Sequence, residues 1–136
     1  QHFFKMATTT TTISINSPDI SGDVLAISKT TQLKKAGVAT GLDQTTGVGK
    51  KITQATAQYT LFTANNYVDD KAHKVYIRVN SNNVTEYVTL TVGTQVLGRL
   101  YGGDFVFMPW AGTSDIKLTP SVPTALAVEY FLAFEE

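Results

Sequence analysis

The sequence has 136 residues, no cysteine and no formal net charge. A chain of this length is the size of one ordinary domain and buries roughly two-thirds of its unfolded surface, so packing alone can stabilise it. The composition excludes thiol nucleophiles, zinc–thiolate sites and disulfide scaffolds, and the balanced charge lacks the basic excess of a general nucleic-acid-binding protein.

Residues 1–12 are predicted to form an extended N-terminal arm. Residues 1–5 precede Met6 and are interpreted as a remnant of expression or processing, with an apolar arm that docks on a neighbour as the alternative. Residues 8–12 are all threonine and offer too little apolar surface to offset the entropy of ordering them. We expect the arm to be mobile or ordered by a partner, and a single folded domain to occupy residues 13–136.

The next part of the chain is predicted to hold short strands followed by a long loop. Extended segments are expected near residues 13–15, 24–28 and 31–35, with a turn at Pro18-Asp19. Residues 36–50 are rich in glycine and threonine and are predicted to be a loop. Loops of this length are uncommon in compact domains and are often functional or ordered by a partner.

Basic charge is concentrated around this predicted loop. The front of the chain carries an excess of lysine and the last third an excess of acidic residues, so copies of the chain could attract each other or a patterned neighbour. We expect the loop and its lysines to bind an acidic partner surface. The predicted partner-binding residues are Lys34, Lys35, Lys50 and Lys51.

The second half of the chain has the two-residue period of antiparallel strands. Val75, Ile77 and Val79 alternate with polar neighbours, and the same alternation follows at residues 88–92. Short turns, such as Gly102-Gly103, separate the runs, and further strands are expected near residues 96–101, 105–110, 116–118 and 126–134. The predicted fold class is all-β, as an antiparallel β-sandwich or jelly roll of about eight strands.

An aromatic group lies at residues 101–110. We predict that Phe105 and Phe107 fill the core while Tyr101 and Trp110 cover an edge, with a sugar-binding aromatic platform as the alternative. Val106 and Met108 then lie on the opposite face, so that strand is apolar on both sides, as is the last one. The predicted oligomer contacts are Val106, Met108 and Phe131.

No catalytic or metal-binding motif is complete. Residues 47–51 look like part of a phosphate loop but lack its first glycine and its final Ser or Thr. His73 is interpreted as a strand-edge residue, and Asp69-Asp70 as a solvated turn and not a calcium loop. Nothing places Asp104 and Asp115 as a glycosidase pair, and no apolar run approaches the roughly 18 residues of a membrane span. We therefore expect no enzyme, no cofactor and no membrane or nucleic-acid partner.

Several segments resemble small virion structural proteins of tailed bacteriophages. They are residues 15–17, 33–37, 40–47, 61–62, 74–77, 97–110 and 115–117. The resemblance implies a β-rich, symmetric, non-enzymatic protein that decorates or cements the capsid. A homo-oligomer, with a trimer favoured, would then bind the major capsid protein at the capsid surface after assembly in the host cytoplasm. The alternatives are a tail or fibre component and a carbohydrate-binding β-sandwich module.

Overall fold

The computed structural model describes residues 7–136, so the interpretation of residues 1–5 lies outside the described residues. The chain divides into two compact units after Asp43. The boundary that we predicted after Thr12 falls inside the first strand. No helix in residues 7–136 is both long enough and apolar enough to cross a membrane.

The first unit contains a two-stranded antiparallel ribbon. Strand β1 (Thr10–Ser17) pairs with β2 (Leu25–Gln32) without a register shift. Thr10 to Thr12 lie in β1, where the arm was expected, because β-branched threonines suit an extended backbone and here find a pairing strand. The predicted turn at Pro18 follows β1 directly, and Ser17 Oγ accepts hydrogen bonds from the backbone N–H groups of the next residues, Asp19 and Ile20.

A short closed turn follows the ribbon, at the start of the predicted loop. The Leu42 N–H donates to the Leu33 carbonyl at 3.1 Å, and both leucine side chains are buried. Lys35 Nζ pairs with Asp43 Oδ2 at 2.9 Å. Gly37 supplies the left-handed backbone, with φ of 72°, that the reversal of the chain requires.

The second unit contains two antiparallel sheets. Its strands are β3 (Gln44–Thr45), β4 (Gly49–Thr53), β5 (Tyr59–Phe62), β6 (His73–Val79), β7 (Tyr87–Val92), β8 (Gln95–Tyr101), β9 (Phe105–Trp110), β10 (Ile116–Pro120) and β11 (Leu126–Phe134). The larger sheet has the order β3-β11-β6-β9, with β4 also paired to β11, and the smaller has the order β5-β10-β7-β8. A single 3₁₀ turn, Ala64–Asn66, lies between β5 and β6.

The all-β, antiparallel prediction is confirmed, although residues 7–136 form eleven strands where about eight were expected. Part of the difference lies in the predicted loop, since β3 and β4 fall within or at the end of it. Their sequences carry little apolar signal, but β11 offers them backbone partners on the side away from β6. Tertiary pairing therefore overrides weak local preference there.

Both sheets contribute side chains to one apolar core. The predicted inward residues of β6, Val75, Ile77 and Val79, are fully buried, and Val88 and Leu90 of β7 are also buried. The other buried members are Phe62, Ala64, Trp110, Ile116, Leu118, Leu126, Val128 and Leu132. The alternation in β6, β7 and β11 thus predicted the inward face correctly.

The predicted faces of β9 are wrong. Phe105 and Phe107 are 62% and 37% exposed, whereas Val106 and Met108 pack against the core. Val106 lies opposite the buried Ile77 of β6, so both side chains point inward. A shift of one residue exchanges the two faces of a strand, and in β9 both faces are apolar, so its own sequence could not choose between them.

The strands β8 and β9 lie at the ends of their sheets. A tight turn containing Gly103, with φ of 92°, joins them and carries the chain from the smaller sheet to the larger. In β8 an extra residue, Leu97, interrupts the register with β7, and β9 carries Pro109, which has no N–H to donate. An open pocket of about 210 Å³ lies between these strands, lined mainly by apolar side chains that include Leu100 and Met108.

Tyr59 buries a hydroxyl that has no hydrogen-bond partner within the described residues. Burial, reinforced by Tyr130, raises the pKa of Tyr59 to about 12. An unfolded tyrosine ionises near a pKa of about 10. The stability that neutral Tyr59 contributes is therefore complete below about pH 10 and is lost as the pH rises toward about 12.

We expect Tyr59→Phe to leave stability at neutral pH unchanged or to raise it by up to about 1 kcal/mol, because it removes an unsatisfied buried hydroxyl. The variant should also lose less stability than the parent between about pH 9 and about pH 11. Urea unfolding at the two pH values measures both effects. Tyr101→Phe, at an exposed tyrosine, serves as the control. A clear loss of stability in Tyr59→Phe at neutral pH would show that its hydroxyl has a partner.

Candidate binding surfaces

The ribbon of β1 and β2 is amphipathic. Residues that lie opposite each other in an antiparallel pair share a face, and alternate residues along each strand share it too. Ile15 lies opposite Ile27, and Ile13 lies two residues before Ile15 on the same face. The ribbon face, as we name it, consists of Ile13, Ile15, Leu25 and Ile27, together with Thr11, Ser17, Lys29 and Thr31.

This ribbon face is apolar at its centre and largely uncovered. Ile13, Ile15 and Ile27 are 48%, 43% and 38% exposed. The opposite side of the ribbon carries only small or polar side chains, namely Thr10, Thr12, Ser14, Asn16, Ala26, Ser28, Thr30 and Gln32. An isolated two-stranded ribbon is marginally stable in water, and it gains stability when its apolar side packs against something else.

A second surface is the outward side of the larger sheet, which we name the outer face. It carries two rows of side chains that run across the strands. The aromatic row is Phe107 of β9, Tyr76 of β6 and Phe131 of β11. The charged row is Phe105 of β9, Arg78 of β6, Glu129 of β11 and Lys50 of β4.

The polar groups of the outer face are held by neighbours within the sheet. The Tyr76 hydroxyl donates to Glu129 Oε1 at 2.9 Å, and Arg78 donates to Asn80 Oδ1 at 2.9 Å. Burial, and after it the bond to Glu129, raises the pKa of Tyr76. Arg78 and Glu129 lie opposite each other but form no ion pair, since the one ion pair within residues 7–136 is Lys35–Asp43.

Burial also affects Lys74, which lies on the outer face at the start of β6. It lowers the pKa of Lys74, and the charge of Glu135 opposes that shift. Lys74 Nζ donates to the carbonyl of Ala72 at 2.8 Å, so this amine is fixed at the end of β6. The polar groups around the aromatic rings of the outer face are therefore held in place by hydrogen bonds within the chain.

The four lysines predicted to bind a partner lie in different surroundings. Lys50 and Lys51 are neighbours on β4, so they point to opposite sides of the sheet. Lys50 belongs to the outer face, whereas Lys51 Nζ lies 4.6 Å from the ring centre of Tyr59. Lys35 is already paired with Asp43, and Lys34 is exposed beside it.

Of the three predicted oligomer contacts, only Phe131 lies on the outer face. Val106 and Met108 pack against the core instead, because the inward and outward faces of β9 are exchanged relative to the prediction. The alternative interpretation of the aromatic group, a sugar-binding platform, would require Trp110 to be exposed. Trp110 is buried, and its Nε1 donates to the Ser114 carbonyl at 2.8 Å, so it is unavailable to a ligand.

The residues considered for catalysis have structural roles. His73 begins β6, but it is fully buried and not at an exposed strand edge. The carboxylates of Asp104 and Asp115 each accept a hydrogen bond from a backbone N–H group, at 2.9 and 2.8 Å, and so fix turns. Within residues 7–136, no three potential metal ligands of the His, Cys, Asp or Glu type come together.

Comparison with protein families, curated protein sequences and solved structures finds no match to this chain. The ribbon face and the outer face are the two surfaces of the chain that suit a binding role. Neither was predicted as a surface, although the alternation of Ile13 with Ile15 and of Leu25 with Ile27 is a signal in the sequence. Only the pairing register shows that these four residues share a face.

Proposed function

We propose that this protein is a non-enzymatic structural component of a bacteriophage virion, which binds the capsid lattice as a homo-oligomer and stabilises it as a decoration or cement protein. The observation that carries the proposal is the uncovered ribbon face. A ribbon with one apolar and one polar side is suited to lie on another protein, where its isoleucines become buried. The resemblance of several segments to small virion proteins supports a capsid as that protein.

The ribbon explains how binding would stabilise a shell. Full burial of one isoleucine side chain is worth about 1.5–3 kcal/mol. If the ribbon spans neighbouring major capsid proteins, it binds only the assembled shell, and a ligand that prefers one state stabilises that state. Lys29 lies on the ribbon face opposite Ile13, and Lys34 follows the ribbon closely, so an acidic partner surface suits them.

The architecture proposed for the second unit is a β-sandwich. Its two antiparallel sheets share one core, to which β6 and β11 of one sheet and β7 and β10 of the other contribute buried residues. Such a rigid unit carries binding surfaces on its outward sides and needs no internal cavity for a substrate. This arrangement suits a structural role.

The proposal is tested with a ribbon variant that carries Ile15→Asn and Ile27→Asn. We expect it to bind virus particles stripped of this protein at least about tenfold more weakly than the parent, a loss of about 1.4 kcal/mol or more. The matched control carries Ser14→Asn and Ser28→Asn, a directly paired position on the polar side of the same strands. The measurement is a co-sedimentation isotherm at physiological salt.

The control should bind like the parent, and both double variants should have the circular dichroism spectrum of the parent. Equal binding by the two double variants would move the contact away from the ribbon face. Purified heads and tails are compared in the same assay. Binding to heads supports the capsid proposal, whereas binding to tails alone would make the protein a tail or fibre component.

A further inference from the structure

We propose that the outer face of the larger sheet binds the outer face of a second copy of this chain, about a two-fold axis that runs parallel to the strands between β6 and β11. The inference rests on the proposed function only in its homo-oligomeric part and does not need the capsid. The proposed oligomer is a dimer, whereas the sequence led us to expect a trimer. The order of side chains across the sheet makes the outer faces of two copies complementary.

The order across the outer face is β9, β6, β11 and β4. An axis between the two central strands places β6 of one copy over β11 of the other, and β9 over β4. Because the axis runs along the strands, each row of side chains meets the same row of the second copy. A contact of this kind is isologous, so every pair of residues in it occurs twice.

The charged row is complementary to itself in this arrangement. Arg78 of each copy meets Glu129 of the other, which gives two ion pairs. At the flanks, Lys50 of each copy meets the exposed ring of Phe105 of the other, where a cation–π contact can form. Within residues 7–136 Arg78 and Glu129 each make a side-chain hydrogen bond, with Asn80 and Tyr76 respectively, but neither forms an ion pair, so each keeps a charge that a second copy could neutralise.

The aromatic row is complementary in the same way. Tyr76 of each copy meets Phe131 of the other, and the two rings are only half-buried in the single chain. Two sheets packed face to face keep their strands within about 30° of each other and lie about 10 Å apart, which leaves room for interdigitated rings. The aromatic contacts thus form the apolar centre of the interface, and the ion pairs determine how the two copies are oriented relative to each other.

An axis perpendicular to the strands gives a worse contact. An axis along the charged row would lay Arg78 over Arg78 and Glu129 over Glu129, and an axis midway between the rows would lay the charged row of one copy over the aromatic row of the other. Like charges meet in the first case. In the second case Arg78 and Glu129 would be buried against rings without a charged partner, and an unpaired buried charge is strongly unfavourable. Electrostatic complementarity therefore selects the axis along the strands.

The size of the outer face limits the expected stability of the dimer. Four strands at a spacing of about 4.8 Å, with about six residues each, make a patch of roughly 20 by 20 Å. Such a patch buries about 400 Å² per copy and roughly 800 Å² in total, which is smaller than a standard interface and typical of a weak, transient pair. The pair should therefore dissociate on dilution.

The test uses charge reversal in the full chain, read by sedimentation velocity at tens of micromolar and low salt. The parent should sediment with twice the mass of one chain. Arg78→Glu alone and Glu129→Arg alone should each sediment as monomers, because two like-charged contacts form in each homodimer. An equimolar mixture of the two variants should restore the dimer, because in the mixed pair every reversed charge meets an opposite charge.

The matched control is Lys117→Glu, a charge reversal on the smaller sheet, which should remain dimeric. Circular dichroism and thermal unfolding establish that each variant is folded. A monomeric parent, single variants that stay dimeric, or a folded mixture that stays monomeric would each overturn the inference. Since no particles are present, these outcomes are independent of whether the ribbon face binds a capsid.

Discussion

Replacing Trp110 by alanine is expected to lower the free energy of unfolding by about 3–5 kcal/mol. The indole is 4% exposed and contacts three rings, with centroid distances of 6.1 Å to Phe62, 5.4 Å to Tyr67 and 5.8 Å to His73. Its Nε1 also satisfies the Ser114 carbonyl. Domains of this size have total stabilities of about 5–15 kcal/mol, so the variant should be close to unfolding at physiological temperature.

Trp110 is the single tryptophan of the sequence, so unfolding should be followed by circular dichroism in urea and not by fluorescence. Trp110→Phe is the control, because it keeps an aromatic ring among its neighbours but loses the hydrogen bond. We expect it to lose less than half of what the alanine variant loses. A loss below about 1 kcal/mol for alanine would show that the site collapses without cost or that Trp110 is not buried.

Replacing His73 by leucine is expected to lower the free energy of unfolding by about 2–4 kcal/mol. The ring is fully buried and joins two segments. Its Nε2 lies 2.8 Å from the Val68 carbonyl, and its Nδ1 lies 3.3 Å from the Glu135 backbone nitrogen. Because the Glu135 N–H must donate to Nδ1, Nε2 carries the proton and donates to Val68, and leucine would leave both groups unsatisfied.

The loss of stability in His73→Leu should be greatest near the Val68 carbonyl and the Glu135 N–H group. Amide hydrogen exchange at Glu135, just beyond the end of β11, should accelerate in His73→Leu relative to amides in the centre of β7. His73→Gln, which keeps a donor and an acceptor, should lose less stability than leucine. If leucine matched the parent in urea unfolding, the two hydrogen bonds would contribute nothing to the fold.

The core of the second unit could be predicted from the sequence because its central strands are polar on one side. In β6, Lys74, Tyr76 and Arg78 alternate with valine and isoleucine, so one register alone buries the apolar set. The strand β9 has no such contrast. There, the choice between Phe105 and Val106 as inward residues depends on the pairing with β6, which is separated from it in sequence.

The binding surfaces could be predicted only in part. Lys50 was expected to bind a partner and lies on the outer face, but its neighbour Lys51 does not, because the predicted loop is partly a strand. Phe131 was expected as an oligomer contact and lies on the outer face. The alignment of Arg78 with Glu129 was not predicted, since a cross-strand row exists only after the register between β6 and β11 is known.

The irregular edges formed by β8 and β9 oppose aggregation at high protein concentration. A strand at the end of a sheet exposes free backbone groups, which invite further strands and lead to fibrillar aggregation. Pro109 removes one donor from β9, and the extra Leu97 disturbs the repeat of β8. Growth of the two sheets at these two edges is thereby hindered. At high protein concentration, β8 and β9 should therefore be poor templates for edge-to-edge pairing between molecules.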